Sequence, residues 1–168
     1  MKRAWTAACA ALLLAAPAAQ AGVGQGDIEA GVSVSLNSTE VEPEAGPSTK
    51  TDYGLVSLSG GYFYSDMIQF KLALNMIVTS DATFGSINPG ADFLFSQGDS
   101  PMVPFVGASY GLAVGDLTET DYLEVHGGIK YFFKERASVE VKLARHQAMD
   151  SDVEASHTDV TAGINIYF

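Results

Sequence analysis

Cysteine is almost absent: the 168-residue sequence has one, Cys9. It lies in a leader-like start, ahead of the apolar run at Leu12, Leu13 and Leu14. Removal of that leader leaves a chain with no thiol, which excludes disulfides and thiolate metal centres. Cys9 comes too early for lipid attachment, because cleavage there would leave the apolar run on the product. Positive charge is also scarce. Nine Lys and Arg stand against twenty Asp and Glu, and loss of Lys2 and Arg3 with the leader leaves seven, a net charge of −13. Nucleic-acid binding relies on basic residues that neutralise phosphates, so that partner is not expected. Long apolar runs are missing too. Hydrophobic content is 47%, yet nothing after residue 21 offers 18 uninterrupted apolar residues, so no transmembrane helix is expected.

What is present begins with the leader. Met1-Lys2-Arg3 is basic, the Ala and Leu run is apolar, and Ala19-Gln20-Ala21 has the small-x-small pattern of a cleavage site. The expected division is a signal peptide over 1–21, cut after Ala21, and one domain over 22–168.

Across that domain the apolar residues recur at every second position. Val160, Ala162, Ile164, Ile166 and Phe168 alternate with Thr161, Gly163, Asn165 and Tyr167. Ile68, Phe70, Leu72, Leu74, Met76 and Val78 do the same, as do Leu123, Val125, Gly127, Ile129, Tyr131 and Phe133. Period two marks a strand with two unlike faces. The spacing predicts eight strands, over 26–37, 53–64, 67–78, 86–96, 103–114, 121–133, 137–147 and 157–168. Their length suits membrane-crossing strands of about 9–11 residues better than globular strands of about 5–6. Pro89 and Gly90 interrupt the fourth, where a bulge or strand end is expected.

Short connections (Ser65-Asp66, 97–102, Lys134-Glu135-Arg136) alternate with long ones (38–52, 79–85, 115–120, 148–156). Short periplasmic turns opposite longer outer loops are the pattern of outer-membrane barrels. Tyr62, Phe63, Tyr64, Phe93, Phe95, Tyr131, Phe132, Phe133, Tyr167 and Phe168 gather at the short-turn side, where an aromatic girdle is expected. The expected fold is therefore all-β: an eight-stranded antiparallel up-and-down transmembrane β-barrel.

The ending Gly163-Ile164-Asn165-Ile166-Tyr167-Phe168 resembles the terminal strand of outer-membrane barrels. The stretch Pro104-Phe105-Val106-Gly107-Ala108-Ser109-Tyr110-Gly111 resembles a mid-barrel strand of the small OmpA-type and OmpX-type superfamily. The resemblance covers the whole of 22–168 and lacks the peptidoglycan-binding domain of OmpA-type proteins. It implies the cell outer membrane, surroundings of lipid and lipopolysaccharide, and a monomer. It also implies that Val160, Ala162, Ile164, Ile166 and Phe168 form the signal read by the barrel-assembly machinery.

Parity turns Glu29, Lys71, Asp92, Glu124, Lys130, Glu140 and Lys142 inward, with His126 and His146. Acids and bases nearly balance, which favours a plug of paired charges over a selective pore lined by one sign. A hairpin turning about Glu135 sets Lys130 opposite Glu140 and Glu124 opposite His146. Gly107, Ser109 and Gly111 would leave room for long opposing side chains, or line a gap. A catalytic barrel would need a nucleophile beside a base. Lipid A deacylases of this shape carry His-x-Ser-Asn, whereas here His126 precedes Gly127-Gly128 and His146 precedes Gln147-Ala148. His157, beside Ser156 and Thr158, has neighbours that face the opposite way.

The long loops gather acid: Glu40, Glu42, Glu44, Asp52, Asp81, Asp116, Glu119, Asp121, Asp150, Asp152, Glu154 and Asp159, against Lys50 alone. Asp150-Ser151-Asp152-Val153-Glu154 lacks the glycine of a calcium loop, so no metal or other cofactor is expected. The first loop is long enough to recognise an external partner of unspecified kind. The reading is a non-enzymatic envelope barrel that acts through structure or its loops. A narrow or gated porin-like channel is the alternative, and a lipid-modifying barrel enzyme ranks third.

Overall fold

The computed structural model describes residues 22–41, 49–78, 83–95, 100–115, 121–149 and 156–168. The expected leader with Ala19 and Ala21, and most of the acidic loop residues, lie outside them. Eight strands follow one another: β1 Ile28–Val41, β2 Thr49–Ser65, β3 Ile68–Val78, β4 Thr83–Leu94, β5 Met102–Gly115, β6 Tyr122–Lys134, β7 Ala137–Ala148 and β8 Ser156–Tyr167. Each pairs antiparallel with the next, and β1 pairs with β8, so the sheet closes on itself. Closure removes the edge strands that would leave backbone groups unpaired in lipid. Reciprocal backbone bonds between Ile28 and Phe168, of 3.1 and 2.9 Å, fasten the seam at its lower end. Here the turn end denotes the end holding both the short turns and the chain ends 22 and 168; the loop end is the other.

Alternation explains the two faces. Val32, Leu58, Leu72, Val106, Val125 and Ile164 project outward and are about half exposed. Glu29, Gln69, Asp92, Lys130 and Asn165 project inward and are buried. A soluble protein hides such an apolar surface, whereas a barrel in hydrocarbon displays it. Strand pairing therefore fixes two environments at once.

Three features depart from the expected strands. β1 and β2 run further, as far as the pair Val41 and Thr49, so Glu40 and Lys50 stand opposite one another on the ladder. Pro89 neither ends β4 nor shifts its register. Its ladder to β3 is continuous, and only the ladder to β5 skips Asn88 and Pro89, as a missing N–H on that side dictates. The irregularities fall instead next to the tight turns, between Phe63 and Ser65 and between Phe132 and Lys134, where one extra residue eases the chain into the turn.

The girdle also needs correction. Tyr62, Tyr64, Phe93, Phe95 and Phe168 are exposed on the outer surface, but Phe63, Phe132 and Tyr167 point inward and are buried. Three of the ten aromatics thus fill the barrel end rather than anchoring it to the interface. The short segment before β1 closes that end. Val23 is buried, Gly22 N donates to Glu135 O at 3.2 Å, and Gly26 N donates to Phe63 O at 2.8 Å. Gly26 adopts φ of 94°, a conformation open to glycine at little cost.

Replacing Leu72 by Arg should cost about 2–4 kcal/mol, the penalty for a cation on the lipid face near midplane. Gln25→Arg, on the exposed turn-end segment, should change stability by less than about 0.5 kcal/mol. Urea unfolding in lipid vesicles measures both, and equal tolerance would contradict the assigned faces.

Candidate functional site

The inward side chains form three tiers along the lumen. At the turn end Val23, Phe63, Leu94, Val103, Phe105, Phe132 and Tyr167 make one apolar cluster. Phe132 and Tyr167 stack with centroids 5.2 Å apart, and Phe63 meets Tyr167 edge-on at 6.1 Å. The Tyr167 hydroxyl pairs with Ser138 Oγ at 2.8 Å, so its one polar atom is satisfied.

An ionic tier lies on this cluster. Lys130, fully buried, bonds to Glu29 Oε2 and donates to Gln69 Oε1 at 3.0 Å. Its ammonium also lies 5.7 Å from the Phe105 ring, 5.8 Å from Tyr167 and 6.0 Å from Phe63. Those distances are within the reach of a cation–π attraction. Lys71 stands 3.5 Å from Glu29, 3.4 Å from Asp92 and 3.5 Å from Glu140. Glu140 Oε2 accepts from Asn165 Nδ2 at 3.1 Å. His126 Nε2 pairs with Asp92 Oδ1 at 2.8 Å, and its Nδ1 lies 2.8 Å from Glu124 Oε1, outside good hydrogen-bond alignment. Lys142 donates to Glu124 Oε1 at 2.7 Å.

Above it comes a neutral polar tier. The Tyr122 hydroxyl accepts from Asn88 Nδ2 at 2.7 Å and Asn75 Nδ2 at 3.4 Å, and pairs with Ser86 Oγ at 2.9 Å. Ser57 Oγ donates to Asn75 Oδ1 at 2.6 Å. Tyr122 therefore reaches from β6 to β3 and β4 across the lumen. Gly111 makes this possible, because a Cβ there would collide with the Tyr122 ring. Gly107 similarly admits Asp92 and His126. Small residues on β5 are the seats of large ones facing them. A cavity of about 260 Å³ remains, lined by Ser33, Ser59, Ser109, His146, His157 and Thr161 among others.

Each inward charge expected from parity lies on the lumen side. Register also sets Lys130 opposite Glu140 and Glu124 opposite His146. The contacts differ from simple cross-strand pairs. Lys130 Nζ is 3.6 Å from Glu140, and its closer partners Glu29 and Gln69 come from β1 and β3. Glu124 is 3.8 Å from His146 but closer to Lys142 and His126. The lumen is narrow enough that long side chains reach across it. His126, which parity already turns inward, joins the network through Asp92 and Glu124. Asp159, grouped above with the loop acids, is buried inside β8 with Oδ1 3.5 Å from His146 Nε2. Val160, Ala162, Ile164, Ile166 and Phe168 all face outward on the closing seam. Among the described residues no group of three His, Cys, Asp or Glu is arranged to hold a metal ion.

Lys130→Met should leave Glu29 buried beside a methyl group and cost about 3–5 kcal/mol. Glu29→Gln together with Lys130→Met should recover much of that loss. The same cycle with Glu140→Gln should recover less, because Glu140 stands 3.6 Å from Lys130 and keeps Asn165 as a donor. Vesicle unfolding of the cycle members checks this ranking, and additive losses with Glu29 would contradict the observed pairing.

No protein-family model matches the chain, and no curated protein sequence does. Solved structures match its shape. The N-terminal barrel of Pseudomonas aeruginosa OprF aligns with TM-score 0.67 at 15% identity, over 87% of this chain and 100% of that one. Neisserial surface protein A aligns with TM-score 0.63 at 17% identity, over 87% and 99%. Yersinia pestis Ail, solved in complex with the heparin analogue sucrose octasulfate, aligns with TM-score 0.54 at 10% identity, over 86% and 99%. The fold is shared with these outer-membrane proteins: a closed, eight-stranded antiparallel β-barrel.

Proposed function

We propose that this protein is a non-conducting, non-enzymatic component of the outer membrane that acts through its external surface. The observation that carries this reading is the obstruction of the lumen. The apolar tier, the ionic tier and the segment 22–27 close the turn-end half, so the cavity beyond them is a vestibule and not a channel. Pairing of both charge signs supports a plug, since a selective pore concentrates one sign.

The histidines support a structural role. His126 faces Asp92 and Glu124, and His146 faces Glu124 and Asp159. Acyl transfer would require a hydroxyl or thiol nucleophile within reach of an imidazole base. The His-x-Ser-Asn motif of lipid A deacylases occurs at neither position.

Export begins, in this reading, with removal of 1–21. The folded monomer of 22–168 then enters the membrane through the barrel-assembly machinery, which reads the outward row from Val160 to Phe168. Phe168 is well placed for that role, being two-thirds exposed at the seam. Its neighbours in the membrane are lipid and lipopolysaccharide. The external loops are rich in carboxylates, so their partner is cationic in character. A polyanion of the kind bound to Ail would meet repulsion there.

The folded barrel in a planar bilayer should show no stepwise conductance, and its expression should leave lipid A masses unchanged. Discrete openings would favour the porin-like alternative, and altered lipid A would favour the enzyme. Deletion of Phe168 should reduce the heat-modifiable barrel recovered from outer membranes, and undiminished recovery would remove it from the assembly signal.

A further inference from the structure

The vestibule at the loop end of the lumen has a volume of about 260 Å³ and is closed below by the plug. Its carboxylates are already matched. Asp92 lies 3.4 Å from Lys71, Glu124 2.7 Å from Lys142, Glu140 3.5 Å from Lys71 and Asp159 3.5 Å from His146. A charged ligand would have to break one of these pairs and leave a charge buried. What remains open is neutral. The hydroxyls of Ser33, Ser59 and Ser109 line the cavity with no hydrogen-bond partner among the described residues. Asn88, 3% exposed, donates from Nδ2 to the Tyr122 hydroxyl at 2.7 Å, while its Oδ1 has no partner among them. Ser33 lies on β1, Ser59 on β2, Asn88 on β4 and Ser109 on β5, and β1 stands across the closed barrel from β5.

We propose that the vestibule binds one neutral sugar ring, free or at the end of a glycan, which enters from the loop end. This rests on the closed, surface-acting barrel proposed above. The open groups set the ligand class. Each sugar hydroxyl both donates and accepts, so it can give its proton to Asn88 Oδ1 and take either role toward a serine. An apolar guest would leave those groups dry and unpaired. At about 30 Å³ each, roughly eight waters fill the space. A sugar ring displaces several of them at once and reproduces their hydrogen bonds, which is the condition under which displacement favours the ligand.

Aromatic rings supply the second element of sugar recognition. His146 and His157 stack with centroids 4.3 Å apart and planes within 5°, and Tyr122 meets His146 edge-on at 5.1 Å. All three rings line the vestibule. His146 is held by its ion pairs with Asp159 and Glu124, so the stack has a fixed base. A pyranose carries C–H groups on its faces and hydroxyls around its edge. Its faces therefore suit an aromatic wall, and its edge suits the ring of serines and Asn88. Because the plug closes the turn-end half, a bound sugar has no way onward, and the site retains its ligand at the surface.

The test is calorimetric titration of the methyl glycosides of glucose, galactose and mannose into the folded barrel, in micelles of a detergent without a sugar headgroup. At least one should bind one-to-one with Kd of about 1 mM or tighter, as a ligand of this size permits. Ser109→Leu, which fills the vestibule, should abolish binding. Ser33→Ala and Asn88→Ala should each weaken it about fivefold, the loss expected for one hydrogen bond. Heat-modifiable migration confirms folding of each variant, and should Asn88→Ala fail to fold, Ser33→Ala and Ser109→Leu decide. A trisaccharide ending in the preferred sugar separates the sources. Binding of both ligands assigns the end of a glycan, and binding of the glycoside alone assigns a free sugar. No binding of any glycoside at about ten times that concentration would overturn the proposal, as would binding unchanged by Ser109→Leu. Conductance of the same preparation keeps the two readings apart: a silent barrel that binds no sugar refutes this site alone, and a conducting one refutes the closed lumen.

Discussion

Lys130 is the constraint on which the interior depends. Its ammonium is wholly removed from water, and the cost of that removal is several kcal/mol unless partners replace the solvent. Those partners come from around the whole barrel: Glu29 from β1, Gln69 from β3 and Glu140 from β7. Three aromatic rings lie below it. One side chain thus joins the apolar tier to the ionic tier and fixes the walls of the lumen relative to one another. Lys71 repeats the arrangement one step higher, with carboxylates from β1, β4 and β7 around it.

The tiers give the two ends of the molecule different tasks. At the turn end, packing is dense and backbone bonds from residues 22–27 seal the mouth. Toward the loop end neutral Ser, Asn and Tyr side chains and the His146–Asp159 pair border an opening cavity. Such a molecule is braced from below and available from above. Its outer surface is set by the apolar face that lipid requires, so chemical variety is confined to the rim and the loops. The charge of the chain follows the same division, with paired ions inside and a large acidic excess in the loops.

Much of this was legible from alternation. A period of two assigns each strand residue to lipid or lumen, and a closed barrel makes that assignment consistent all the way round. The inward charges and the register of β6 with β7 follow from parity and a tight turn. What alternation cannot supply is contact across the lumen. Glu29 and Lys130 are 101 residues apart and sit on strands that are not neighbours, so no pairing rule connects them. The same reasoning explains the aromatics. Their gathering at one end was visible, but Phe63, Phe132 and Tyr167 share the inward parity of the charges and fill the barrel. Pro89 misled because its effect depends on which neighbour its missing N–H faces. Asp159 misled because it was grouped by proximity to a loop, although its odd position on β8 already turned it inward.

The central claim is that the turn-end half of the lumen is closed while the loop-end half is open to water. Residues 22–168 contain no cysteine, so single thiols can be placed at will. Ser109 lines the vestibule, and Ser138 is fully buried beside Tyr167. Ser109→Cys and Ser138→Cys in folded barrels, exposed to a small charged thiol reagent from the loop side, should react at very different rates. Fast labelling at 109 with protection at 138 is the predicted result. Comparable labelling at both would show a continuous water path and contradict the plugged barrel.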